Sequence, residues 1–166
     1  RRVTLTNTTD SLRDLLVTSY AEVVLATPAA DQAHAAFSNL FVQTEILRER
    51  RAILCTRRPR SAREATPWMF HLMVAQGATA GEVSYETDRM QFIGRGRTVA
   101  DPQAHSTHLS GSEGSVLDPI VAIRRRITLD PEETVSINVV SGVADTRDGC
   151  MELVDKYQDP RFADRT

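Results

Sequence analysis

The stretch that decides the fold is VAIRRRITLDPEETVSINVVSGV, from Val121 to Val143. Each half places apolar residues at alternating positions, a pattern typical of strands with one buried face. These residues are Val121, Ile123, Ile127 and Leu129, then Val135, Ile137, Val139 and Val143. Between the halves lies Asp130-Pro131-Glu132-Glu133, where proline presets the φ angle of a turn. The pattern predicts a β-hairpin of two long strands.

Further strands with the same period occur along the rest of the chain. They are predicted at Arg1–Thr6, residues 15–25, residues 40–46, Ala52–Thr56 and residues 68–74. The strand at residues 15–25 is apolar on both faces, so we expect it in the interior between two layers. The fold class is therefore all-β, an antiparallel two-layer sandwich.

One helix is predicted at the end of the chain. Thr146 is a suitable N-cap, and apolar residues recur at helical spacing from Cys150 to Tyr157. Pro160 is predicted to end this helix. We divide the chain into a β-sandwich domain at residues 1–145 and a helical segment at residues 146–166.

Size and composition set limits on the function. At 166 residues and a net charge of −2, the chain has the length of one domain and no general attraction for nucleic acid. It has no apolar run of membrane-spanning length and no signal-peptide pattern. Because it begins with Arg1 inside a predicted strand, we expect it to be a piece of a longer polypeptide. Cys55 and Cys150 lie among apolar residues, which favours buried reduced thiols and a cytoplasmic location.

Charge is distributed unevenly along the chain. Residues 48–63 contain seven arginines and one glutamate, whereas residues 130–166 contain nine acidic and four basic residues. A surface that binds nucleic acid usually has aromatic residues among its arginines. This cluster has none, and the apolar residues Ile53 and Leu54 interrupt it. We therefore expect these segments to dock within one assembly, and we expect no contact with nucleic acid or membrane.

A second stretch, YETDRMQFIGRGR at Tyr85–Arg97, has the features of a ligand-facing edge. Gly94 and Gly96 alternate there with Arg95 and Arg97. Glycine permits a positive φ angle and close approach of the backbone. Arginine offers a planar set of donors suited to hydroxyls, carboxylates or phosphates. The loop end at Gly94–Arg97 contains no nucleophile and no general base, so it indicates recognition without catalysis.

Glu86 and Asp88 raise the alternative of a carboxylate pair for glycoside hydrolysis. They lie two residues apart, on one face of a predicted strand. Arg89 and neighbouring arginines offer a simpler role, since they can pair with both carboxylates. We expect ion pairs here and assign no catalytic residue.

Other polar residues occur in the long loop predicted at Gly94–Val116. Asp101, His105 and His108 resemble metal ligands in type, but three residues in a loop without supporting groups make a weak site. Ser110 has no base placed beside it by sequence, so a serine nucleophile is unsupported. We predict no metal and no cofactor.

Several motifs together resemble one family. They are the run RRVTLTNTTDSLRDLLVTSYAEVVLATPAADQAHAAFSNLFVQTE at residues 1–45, RRPRS at Arg57–Ser61, YETDRMQFIGRGR, GSVLDPI at Gly114–Ile120 and DKYQD at Asp155–Asp159. They are similar to the β-sandwich domain of cyclic β-1,2-glucan synthases. The wider group is the inverting glycoside phosphorylases, including cellobiose and chitobiose phosphorylases. The resemblance covers essentially the whole chain.

The resemblance implies a specific architecture. The domain would be a supersandwich of the galactose-mutarotase-like type, followed by linker helices and an (α/α)₆ barrel. The helical segment at residues 146–166 would begin that linker. The general acid and the phosphate-binding residues of the family lie in the barrel, outside this chain.

The resemblance also implies binding partners. Sandwich loops in the family help to form the acceptor side of the sugar site and the dimer interface. On that basis the substrate-binding candidates are Phe92, Gly94, Arg95 and Arg97. The expected partners are the barrel of the same polypeptide, a β-linked gluco-oligosaccharide and a second copy in a homodimer.

Two other functions stay open from the sequence. An autonomous carbohydrate-binding module would suit the sandwich, although the chain has only nine aromatic residues and Trp68 stands among apolar strand residues. A mutarotase-type epimerase would suit the fold alone, but we identify no acid–base pair for it.

The sequence departs from the family pattern at the turn after Leu129, where the family often has Pro-Gly. This chain has Pro131-Glu132, which favours a type I turn.

Overall fold

Eight strands form two antiparallel sheets in a computed structural model that describes residues 1–59, 61, 64–77, 79–159 and 162. The strands are β1 Arg2–Thr6, β2 Arg13–Glu22, β3 Val42–Leu47, β4 Ala52–Arg57, β5 Trp68–Gln76, β6 Thr79–Asp88, β7 Pro119–Leu129 and β8 Thr134–Ala144. The helices are α1 Pro28–Asn39, α2 Arg89–Ile93, a 3₁₀ turn at Gln103–His105 and α3 Arg147–Gln158. The all-β prediction with a C-terminal helix is confirmed.

The two sheets differ in size. One has five strands in the order β1-β8-β5-β4-β3, and the other has three in the order β2-β7-β6. Alternating residues of both sheets meet in the main core between them. Its members include Val42, Ile53, Met73, Val121, Ile123, Ile127, Val135 and Ile137. Two smaller clusters cover the outer faces of the sheets, so side chains on both sides of β5 and β7 are buried.

Helix α3 covers the outer face of the five-stranded sheet. Thr146 caps it by accepting a hydrogen bond from Gly149 N at 3.0 Å, as predicted. Cys150 and Val154 are fully buried against Phe70 and its neighbours, and Trp68 packs against the same cluster. Cys55 is also buried, and both cysteines are free thiols. Pro160, the predicted end of the helix, lies outside the described residues.

The predicted hairpin is wrong in its pairing. Strand β7 belongs to the three-stranded sheet and β8 to the five-stranded sheet, so the turn between them crosses from one layer to the other. The type I turn is also wrong, because Glu132 has a φ of 61°. A positive φ at this third position characterises a type II turn. Hydrogen bonds to the Asn7 backbone hold Glu132 and Glu133 in this conformation.

Strand β2 is an edge strand, which corrects its predicted position in the interior. It pairs only with β7 among the described strands and ends at Glu22. Its inner face packs on the main core through Leu15 and Val17, while Leu16 on the outer face is 56% exposed. The prediction failed because apolar residues on the outer face of β2, such as Leu16, are left exposed to solvent.

Helix α1 was not predicted from the sequence. Thr27 is its N-cap and Pro28 opens its first turn, a combination that favours helix initiation. His34 interrupts it with φ −156° and ψ 76°, and only Ser38 of the helix is buried. Because the helix lies on the surface and buries almost none of its side chains, its sequence has no apolar stripe from which a helix could be predicted. No helix within the described residues is long and apolar enough to cross a membrane.

Candidate functional site

The segment Tyr85–Arg97 joins the end of β6 to a long loop through the short helix α2. Asp88 ends the strand and caps α2, since its carboxylate accepts a hydrogen bond from Met90 N at 2.8 Å. Phe92 and Ile93 at the end of α2 are buried against Ile120 on the outer face of β7. The sequence predicted a strand running directly into a loop, and the helix between them fixes where that loop starts.

Phe92 is held inside the protein. Its side chain is 4% exposed, and its ring centroid lies 5.0 Å from that of Tyr20. Aromatic pairs at this separation contribute about 1 kcal/mol beyond the burial of their surface. Phe92 therefore anchors the loop to the sheet. Its predicted contact with sugar stays a prediction.

Gly94 occupies a position that requires glycine. Its φ is 87°, and a Cβ atom there would lie 2.6 Å from the Gln103 side-chain oxygen. Gln103 cannot move away freely because its Nε2 donates a hydrogen bond to the Gln91 carbonyl at 2.8 Å. The missing side chain thus lets two loop segments pack closely behind Arg95.

The two predicted arginines differ in their surroundings. Arg97 forms an ion pair with Asp101 at 3.7 Å. Arg95 is exposed and makes no hydrogen bond or ion pair with any residue in the described part of the chain. Gly96 between them has a φ of 72° with open space where a side chain would extend. Arg95 is consequently the free cation of this loop.

Arg89 does not pair with Glu86 or Asp88, which corrects the sequence prediction. It lies 3.1 Å from Glu22 and 3.6 Å from Asp118, so it joins β2 to the start of β7. The Tyr20 hydroxyl donates to the same Glu22 carboxylate at 3.1 Å. Burial is the main cause that raises the pKa of Tyr20, and the hydrogen bond to Glu22 raises it further. The network fixes the base of α2.

Glu86 is a structural carboxylate. It is 1% exposed and accepts hydrogen bonds from Thr87 N, Asp88 N and Ser110 N at 3.0–3.1 Å, and from Ser110 Oγ at 2.5 Å. Asp88 meanwhile caps α2, so the two carboxylates are committed to different backbone groups. This arrangement leaves no free acid–base pair for glycoside hydrolysis and ties the far end of the loop to β6.

Arg124 secures the middle of the same loop and was missed by sequence reasoning. It is 7% exposed and donates to Ala104 O at 2.6 Å, Thr107 O at 2.9 Å and Thr18 Oγ1 at 2.9 Å. Burial lowers the pKa of Arg124. The only sequence signal was an arginine run inside an otherwise apolar strand.

Asp101, His105 and His108 are not brought together as a metal site. Asp101 pairs with Arg97, and within the described chain no group of three or more His, Cys, Asp or Glu side chains is arranged around a common point. Ser110 interacts with Glu86 and Ser112. Neither partner is a histidine, so Ser110 has no activating imidazole among the described residues.

His71 is a buried histidine that the sequence analysis overlooked. It lies on the inner side of β5, 2% exposed, with Nε2 2.9 Å from Ser19 Oγ and Nδ1 2.7 Å from Ser141 Oγ. The hydrogen bond to Ser19 of β2 links the two sheets, whereas the one to Ser141 joins neighbouring strands of the five-stranded sheet. Burial lowers the pKa of His71 to about 4. The neutral ring is therefore part of the fold at neutral pH.

The arginine cluster at residues 48–63 makes contacts within the domain, as expected. Arg50 lies 2.7 Å from Asp155 of α3, and Arg48 lies 3.4 Å from Glu113 of the loop. Arg57 is buried and stacks 5.2 Å from the Phe41 ring centroid. Arg60 and Arg63 of this cluster lie outside the described residues.

Comparison with known proteins agrees with this architecture. A family model for the supersandwich domain of glycosyl hydrolase 94 matches residues 1–160. The chain is also 38% identical over 162 residues to the cyclic beta-(1,2)-glucan synthase NdvB of Rhizobium meliloti (strain 1021). The aligned region is 96% of this chain and 6% of the length of NdvB. The resemblance inferred from the sequence motifs is confirmed: the chain belongs to the supersandwich-domain family of glycosyl hydrolase 94.

Proposed function

We propose that this chain is a non-catalytic accessory domain of a β-glucan-processing enzyme, in which it shapes the acceptor side of a sugar site. The parent would be a cyclic β-1,2-glucan synthase or a related glycoside phosphorylase. Its catalytic groups would lie in an (α/α)₆ barrel reached through α3. This chain would supply recognition and support, and would not be an enzyme on its own.

One observation carries the proposal: Arg95 is free, while the loop that bears it is rigidly mounted. Phe92 and Gly94 fix the loop from behind, and Glu86 and Arg124 hold its later part. A side chain on a fixed base loses less conformational freedom on binding, which favours affinity. Arg95 would donate hydrogen bonds to sugar hydroxyls, with Arg97 held beside it by Asp101.

Exposed apolar residues near the same loop support contact with another domain. Met90 on α2 is 61% exposed, Val99 is 47% exposed and Leu117 is 77% exposed. All three lie in or next to the segment between β6 and β7, and exposed apolar side chains that form a patch are typical of an interaction site. We propose that the barrel of the parent polypeptide covers this edge. A homodimer contact is a further proposal from the family resemblance.

We place the domain in the cytoplasm. Cys55 and Cys150 are both free thiols, which fits a reducing compartment. Burial raises the pKa of Cys55 to about 12, so this thiol is kept protonated and unreactive.

Calorimetric titration of the 166-residue chain with β-1,2-gluco-oligosaccharides, with cellobiose as comparison, tests the accessory role. We expect no detectable heat at millimolar sugar, because the acceptor site is completed by the barrel. An autonomous carbohydrate-binding module, the second candidate, would instead give saturable binding. Loss of such binding in Arg95→Ala would then assign the sugar contact to this loop and overturn the purely accessory role.

A further inference from the structure

Arg125 is a buried arginine whose charge no described residue balances. It lies on β7 opposite Val17 and Val83, on the same strand face as the buried Ile123 and Ile127. Its side chain therefore points between the two sheets and is 2% exposed. Nε of Arg125 has no hydrogen-bond partner, and no described carboxylate forms an ion pair with it. A buried charge without partners is costly to the folded state.

Arg51 is a second unpaired arginine, and it lies close to Arg125. Arg51 ends the turn between β3 and β4 with a φ of 50°, and it has no hydrogen-bonding or ionic side-chain partner among the residues described. Burial lowers the pKa of Arg125, and the nearby positive charge of Arg51 lowers it further. Two adjacent guanidinium groups repel each other unless an anion lies between them.

Two cavities meet at Arg51. The smaller, about 100 Å³, is lined by Arg51 and Arg125 together with Arg50, Glu49 and Gln158. The larger, about 310 Å³, is lined by Arg51, Arg48, Tyr85 and the loop residues Ser110 and Gly111. Glu49 borders the smaller cavity without pairing with Arg125, and Glu113 is already bound to Arg48. Asp155 is likewise bound to Arg50. Arg51 and Arg125 are therefore the two arginines of these cavities that no described carboxylate pairs with, and the cavities have room for a small anion.

We propose that a small inorganic oxyanion of the size of phosphate or sulfate binds in this cleft, held by the guanidinium groups of Arg125 and Arg51. Guanidinium presents parallel N–H donors that match two oxygens of such an anion. Tyr85 is 6% exposed and lies close to both charges, and its hydroxyl would supply a third donor. This site is separate from the proposed sugar contact at Arg95 and does not depend on it.

Thermal denaturation with inorganic phosphate and with sulfate tests the site, using sodium chloride at equal ionic strength as reference. We expect a saturable rise in Tm of about 5 °C over chloride at tens of millimolar anion. Arg125→Met and Arg51→Gln should abolish this excess. The matched control is Arg126→Gln, because Arg126 neighbours Arg125 but is exposed and pairs with Asp14; it should retain the full response.

NMR of the arginine side chains provides a second readout that does not require a folded Arg125 variant. The Nε–H resonance of Arg125 should move during a phosphate titration, while that of Arg126 should not. The proposal is overturned if phosphate and sulfate stabilise the chain no more than chloride does. It is equally overturned if both arginine variants keep the response, or if the Arg125 resonance does not respond.

Discussion

Replacing Glu86 with alanine will lower the free energy of unfolding by about 4 kcal/mol. The carboxylate accepts four hydrogen bonds, three of them from backbone N–H groups, while being 1% exposed. Hydrogen bonds to a charged group contribute about 2 kcal/mol each, and buried donors left without partners add their own desolvation cost. Water entering the space would recover part of the total, so the full sum is not expected.

Urea denaturation of Glu86→Ala and Glu82→Ala measures this effect against a matched control. Glu82 lies on the same strand, is exposed and forms no side-chain hydrogen bond or ion pair with any residue that the structure describes, so its replacement should change stability by less than about 0.5 kcal/mol. Equal stability of the two variants would show that Glu86 does not hold the loop. In that case the rigid mounting of Arg95 would lose its main support.

Acidification will destabilise the protein through His71. The pKa of this histidine is about 4 in the folded state because of burial, compared with 6.5 for the unperturbed side chain. The folded pKa is the lower one, so the unfolded state binds the proton first. The stability contribution is fully present above pH 6.5 and is lost as the pH falls from 6.5 towards 4. A difference of this size corresponds to about 3 kcal/mol.

The histidine contribution can be separated from that of the carboxylates by substitution. His71→Gln should remove about 3 kcal/mol of the pH-dependent loss between pH 7 and pH 4. His105→Gln, at an exposed position, is the control for the loss of a histidine, and the effect of His71→Gln is measured against it. Identical pH profiles for the unaltered chain and His71→Gln would contradict a neutral buried His71.

Alternation of apolar residues was enough to predict most strands. Residues Val42, Thr44 and Ile46 are buried as expected, and β4 follows as their antiparallel partner. The C-terminal helix was predicted by Thr146 together with the spacing of Cys150 and Val154. These signals succeed because burial of one face and capping of one end are local properties.

Strand pairing could not be read from the same signals. β7 and β8 are adjacent in sequence and joined by a tight turn, yet each pairs with distant strands. A turn that crosses between layers and a hairpin turn can use the same residues. The difference lies in Asn7, whose side chain donates to the Leu129 and Asp130 carbonyls from another part of the chain. Contacts between residues so far apart in sequence produce no periodic pattern from which the pairing could be predicted.

Buried polar residues were the other class that sequence reasoning missed. Glu86 was expected to pair with an arginine, and Arg124 and His71 were given no role. Their partners include loop backbone groups and serines far away in sequence, which a local pattern does not reveal. The candidate sugar contacts were placed by motif resemblance. The structure adds how Phe92 and Gly94 are held, which the motif alone could not give.

Arg95→Ala in the parent polypeptide is the most direct test of the proposed role. Initial rates would be measured with β-1,2-gluco-oligosaccharide and with inorganic phosphate varied in turn, using Arg13→Ala, an exposed arginine on β2, as control. Loss of one charged hydrogen bond to sugar should raise the KM for oligosaccharide about tenfold. The KM for phosphate should change less than about twofold, since its site would lie in the barrel. Equal effects on both substrates, or no effect on either, would contradict a sugar-binding role for this loop.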